Sequence, residues 1–154
     1  MAGITRKEVY VLQQYTKNWS PFTLTVLRLI VGLTFLLSGL DKIQNPSGFI
    51  GLVTALGFPA PGLIGWLGIL LEPIGGLLLI AGIGTRWLSA YFVLEMLVTA
   101  FLVKLAHGAP FAQVAGKPGV GFELDLLLLA GALVLLALVP GEISIERNVL
   151  HHEL

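Results

Sequence analysis

Two carboxylates stand where a carboxylate is costly. Glu72 lies in "LLEPIGGLLLIAGIGTR", Leu70 to Arg86, inside an apolar run from Gly62 to Ile83. Glu95 lies in the next apolar run, nine residues after Arg86. A charged group in the middle of a membrane span costs several kcal/mol unless it pairs or faces a wet cavity. At 1.5 Å rise per residue, each glutamate sits about 14–15 Å into its helix, near mid-depth. Two such groups at one level on neighbouring helices are suited to holding and passing protons. Glu72 and Glu95 are therefore the candidate catalytic residues.

Compensating charge has to come from nearby. Arg28 follows Pro21 by seven residues, about 10 Å into the first apolar run. Its long stem could carry the guanidinium toward the glutamates, so an Arg28–Glu72 pair is expected. Glu95 could share a proton with Glu72. The same pair could instead be structural and fix helix register. Asp41, Lys42, Lys104, His107, Glu123 and Asp125 gather toward the other ends of their helices. Arg86 opens the third run and suits an interfacial anchor. Lys42 and Lys104 also suit side chains that reach along the helix to water. Glu123 and Asp125 are two residues apart, roughly 200° around a helix, so one pocket cannot take both side chains. Both fall in a first helical turn, where the dipole favours anions. His107 stands alone, and no metal site is expected. The Gly75-Gly76 pair lacks the surroundings of a phosphate loop and suits helix packing.

The elements that must position these groups follow from composition. The chain has 154 residues, 56% hydrophobic and 12% charged, with a mean hydropathy of +0.91. That charged share is about half of a soluble domain's roughly 25%. A soluble protein of this size could not bury so much apolar surface. The net charge is zero, which argues against a nucleic-acid partner. There is no cysteine, so disulfides, thiolate-held clusters and CxxC redox chemistry are excluded.

Four runs reach spanning length: about Pro21–Leu40, Gly62–Ile83, Thr85–Leu105 and Phe122–Val139. Pro140-Gly141 ends the last. The expected fold is all-α, a polytopic membrane protein with a four-transmembrane-helix bundle and short interfacial segments. Residues 1–20 read as an N-terminal interfacial segment, 21–141 as the transmembrane domain and 142–154 as a polar tail. Residues 1–20 are polar and mixed, so they are expected to be retained and not cleaved as a signal. The short link Gly82–Thr85 makes spans two and three antiparallel neighbours. The piece Gly48–Leu56 is too short to span and is expected at the interface or slightly re-entrant. Arg6, Lys7, Lys17, Arg86 and Arg147 fall on one side and Lys42, Lys104 and Lys117 on the other. That bias places both termini in the cytoplasm and the chain in the cell membrane.

Helical spacing defines inward faces. Arg28, Gly32, Phe35, Gly39 and Lys42 form one stripe, and Gly65, Gly68, Glu72 and Gly75 another. Glycines there let helices approach closely. Pro73 removes a backbone hydrogen bond beside Glu72, so a kink or break is expected at that point.

The stretches "LRLIVGLTFLLSGLDKI", "EPIGGLLLIAGIGTR" and "GFELDLLLLAGALVLL" together resemble the DoxX/DoxD family of small four-helix membrane proteins. The likeness runs from about Arg28 to Pro140. The resemblance implies a membrane subunit of a respiratory or redox complex acting at a quinone, of thiosulfate:quinone type in some members. By that resemblance Arg28, Lys42, Glu72, Arg86, Glu123 and Asp125 are carried over as quinone-site residues. The chain's own residues add a constraint. Without cysteine or paired intramembrane histidine, no metal or haem of its own is expected, and electrons would pass through quinone or a partner subunit. The expected partners are the lipid bilayer and other membrane subunits, or further copies of the chain. Two other functions stay open: a non-catalytic accessory or assembly subunit packed on a larger complex, and a small-solute or proton carrier built on the buried carboxylates.

Overall fold

The computed structural model describes residues 19–112 and 121–138, and all regular structure among them is helical. Helix α1 is Ser20–Gln44, α2 Pro46–Ala55, α3 Pro61–Ala81, α4 Thr85–Leu97 and α5 Glu123–Ala137. Helix α4 continues directly as a π-helical segment, Val98–Leu105. The interfacial reading of residues 1–20 falls almost wholly outside the described residues. The polar tail, the Pro140-Gly141 stop, and the charges Arg6, Lys7, Lys17, Lys117 and Arg147 also lie outside them.

Local chemistry sets the breaks. Pro46 has no N–H to continue the ladder of α1, and Asn45 leaves helical geometry with φ −132° and ψ 68°. Pro61 opens α3 in the first-turn position that suits its fixed φ. Gly82 and Gly84 take left-handed conformations, φ 73° and 61°, which close the tight α3–α4 turn at little steric cost.

Among the described residues, three helices are long and apolar enough to cross a membrane: Phe22–Gln44, Pro61–Ala81 and Thr85–Leu105. The fourth expected span coincides with α5, whose 15 described helical residues make it shorter than those three. The expected short piece is the helix α2. It packs against the first half of α3, where Gly65 faces Ile50 and Gly68 faces Phe49. Helix α3 runs through Pro73 as one continuous helix, so the break expected there does not form.

The expected stripes are the packed faces. Arg28, Gly32, Phe35 and Gly39 are buried on α1, and Gly65, Glu72 and Gly75 on α3. A side chain at Gly76 would run into the Leu36 and Gly32 backbone, and one at Gly39 into the Pro73 ring. Glycine thus brings α1 and α3 into backbone contact, the usual way helices adhere in lipid. Phe35 and Phe92 stack with centroids 3.7 Å apart and planes within 8°. Val31, Leu79, Met96, Ala132 and Leu135 complete the core around them. Leu29, Leu33, Leu37, Leu63, Leu77 and Leu94 are exposed while Arg28 and Glu72 are buried. Apolar side chains outside and ionisable ones inside is the arrangement lipid selects.

Candidate functional site

The site forms where α1 ends. Lys42, in the last turn of α1, makes an ion pair and hydrogen bond with Glu72 Oε2. The same Nζ lies 3.5 Å from Glu95 Oε1 on α4. It also sits 4.7 Å from the centroid of the Phe49 ring on α2, a cation–π distance. One ammonium therefore joins four helices. Glu72 is 1% exposed in its side chain, Glu95 12% and Lys42 24%. The lysine is the most exposed of the three.

The expected compensation by Arg28 is corrected here. Gly39 packs on Pro73, and Gly32 packs on Gly76 and Ile80. The antiparallel register therefore places Lys42 one turn from the Glu72 level. Arg28 lies eleven residues before Gly39, about 16 Å down the bundle, beyond the reach of an arginine side chain. It is buried, 2% exposed, and is not without an interaction of its own. Arg86 is exposed at the start of α4, about 13 Å along the axis from Glu95. Neither arginine joins the lysine–glutamate cluster.

A cavity of about 270 Å³ opens beside Glu95. Its walls include Phe49 and Val53 of α2, Leu67 and Leu71 of α3, and Leu94 and Val98 around the glutamate. Leu67, Leu71 and Leu94 are exposed on the outside of the bundle, so the mouth faces the lipid. Tyr91, Glu95 and Thr99 supply the polar side chains. They recur every four residues, one stripe of α4. Glu95 Oε2 is buried and has no hydrogen-bond partner among the described residues. Thr99 Oγ1 donates 2.9 Å back to the carbonyl of Glu95. The π-helical segment begins at Val98, and Ala106 N–H reaches the carbonyl of Phe101, five residues back. Such wide turns concentrate at functional sites.

Glu123 and Asp125 belong to a separate cluster. Lys104 Nζ lies 2.7 Å from Asp125 Oδ2 and donates 3.1 Å to the carbonyl of Gly121. Asp125 is buried while Glu123 is half-buried. Only one of the two faces inward fully, as their spacing requires. His107 Nδ1 lies 2.6 Å from the carbonyl of Val103, one turn earlier.

Sequence reasoning missed Tyr91, Thr99 and Phe49. The first two were legible, because they repeat the helical spacing of Glu95. Phe49 was not, because nothing local says that α2 folds back onto the lysine.

Fold and site define a helical membrane protein with a charged cluster beside a lipid-facing cavity. The DoxX family profile matches residues 23–105, and the chain belongs to that family. It is 29% identical over 129 residues to the inner membrane protein YphA of Escherichia coli, covering 83% of this chain and 91% of that one. It is 31% identical to the uncharacterized membrane protein Rv3486 of Mycobacterium tuberculosis, covering 84% and 82%. It is 34% identical to a Bacillus subtilis protein named "Putative oxidoreductase CatD", covering 68% and 69%. No solved structure matches the chain significantly.

Proposed function

We propose that this chain is a membrane subunit of a redox complex that handles quinone at the Glu95 cavity. One observation carries the reading: Glu95 stands on the cavity wall and within 3.5 Å of Lys42. An apolar pocket with few polar groups suits a lipophilic ring, and its mouth suits entry from the bilayer. The walls fit such a ring, with Tyr91 and Thr99 flanking the glutamate. When bound, a quinone supplies paired electron and proton chemistry. The chain's part is to orient the ring between Phe49 and α4 and to exchange a proton at Glu95. Lys42 lies within reach of both carboxylates and is the most exposed of the three. Glu72 is not on the cavity wall, so it acts as a positioning residue that holds Lys42. With no cysteine in the chain, this reading has electrons pass through the quinone itself or a partner subunit. The name of the Bacillus subtilis relative supports an oxidoreductase role. The name of the Escherichia coli relative supports an inner-membrane location, and the charge bias supports cytoplasmic termini.

The test is quinone turnover by the complex purified from membranes with its partners. Glu95→Gln keeps shape and hydrogen bonding but removes the proton. It is expected to assemble normally and to lose turnover by about 100-fold, the usual scale for a lost acid–base group. Full turnover in that variant overturns the reading.

A further inference from the structure

The Lys42 cluster has unequal charge. One ammonium stands between two carboxylates, which leaves one formal negative charge when all three are ionised. Glu72 takes the tight contact with Lys42. Glu95 is left with the longer one, 3.5 Å, and with a buried oxygen that has no hydrogen-bond partner among the described residues. Glu95 is thus the more weakly paired of the two carboxylates, and it is the one that stands on the cavity wall.

The cavity wall suits a particular answer to that charge. Three aromatic rings line it, Phe49, Phe58 and Tyr91. Aromatic faces attract cations, more strongly when water is excluded. The remaining wall is almost wholly aliphatic, and the mouth is rimmed by exposed leucines. Phe49 already holds one ammonium, that of Lys42, at 4.7 Å. A buried charge without a matched partner is unfavourable, so a ligand carrying one positive charge on an apolar body would relieve it.

We infer that the Glu95 cavity binds lipophilic organic monocations, of the aryl-substituted quaternary ammonium class. The carboxylate of Glu95 faces the charge, the aromatic rings flank it, and the aliphatic wall takes the body. Recognition needs no redox partner and does not rest on the quinone reading. The two meet at one residue: a proton on Glu95 and an organic cation beside it are alternative ways of cancelling the same charge.

The experiment is calorimetric titration of the purified full chain in a neutral detergent. The probes are benzyltrimethylammonium and neopentylbenzene, which share one shape and differ in charge. The cation is expected to bind at least about tenfold more tightly than the neutral compound. Glu95→Gln is expected to remove that preference, and Asp41→Asn, which alters an exposed carboxylate outside the cavity, to keep it. Equal binding of the two probes overturns the inference, because the cavity is then merely apolar. So does absence of binding by either probe, or a cation preference that survives Glu95→Gln. Should Glu95→Gln fail to fold, the two probes on the unaltered chain still decide. Quinone turnover can fail while cation binding holds, and the reverse, so the two readings stand or fall separately.

Discussion

Lys42 and Lys104 make similar pairs with different consequences. Both are lysines near the ends of helices, and their side chains are 24% and 21% exposed. Each meets a buried carboxylate from another helix. Lys104 pairs with Asp125 and donates a hydrogen bond to the Gly121 carbonyl. These contacts tie the Lys104 end of the α4 continuation to the loop before α5 and to its first turn. Lys42 meets two carboxylates, on α3 and α4, and one of them stands at a cavity. An ion pair inside a membrane protein can thus be a fastening or a site. The neighbouring space tells them apart: the cavity wall includes Glu95 and neither Lys104 nor Asp125.

Position along the helix sharpens the contrast. Asp125 is in the first turn of α5, where unpaired N–H groups and the helix dipole favour a carboxylate. Glu72 is in the middle of α3, where the backbone donors are occupied. It therefore depends more heavily on its lysine.

The largest effect is expected from Lys42→Met, which keeps the stem and removes the charge. It leaves Glu72 and Glu95 facing each other in low dielectric. Breaking a buried pair in this way costs about 3–5 kcal/mol. Thermal melting in detergent should show a clear loss, and an unchanged melting temperature would mean that Glu72 does not need Lys42.

A smaller loss is expected from Lys104→Met, about 1–2 kcal/mol, because the helix terminus still favours Asp125. Quinone turnover of the assembled complex should stay near that of the unaltered protein. If Lys104→Met melts lower than Lys42→Met, or abolishes turnover in an assembled complex, the assignment of fastening and site is reversed.

The gentlest probe is accessibility. Single-cysteine variants Thr5→Cys and Pro110→Cys should be labelled from opposite sides of sealed vesicles with little change in stability. The Lys42 and Lys104 ends would then share the non-cytoplasmic side. Labelling of both cysteines from one side would overturn that placement.

Much of the bundle was legible in the sequence. Apolar length marked the spans, because lipid allows so few other ways to satisfy a backbone. The helical repeat picked out Gly32, Phe35 and Gly39 on one face and Gly65, Glu72 and Gly75 on another, since an inward stripe must recur with the helix period. The improbable placing of Glu72 and Glu95 marked them as a pair to be explained. These are properties of one helix at a time, and a sequence carries them directly.

Which charge meets which is a property of several helices at once. Depth counted from span ends favoured Arg28 as the partner of Glu72. The register is set instead by Gly39 closing on Pro73 and Gly76 on Gly32, and that contact lifts Lys42, not Arg28, to the glutamates. Helix α2 then folds along α3 and brings Phe49 to the lysine and to the cavity. The uninterrupted α3 at Pro73 and the π-helical turns after Leu97 are likewise seen only in the structure. The sequence determined the spans, their inward faces and the presence of buried charge, because those follow from the solvent and the helix period. Only the tertiary structure decided the partners and the cavity, because both depend on the sliding register between helices.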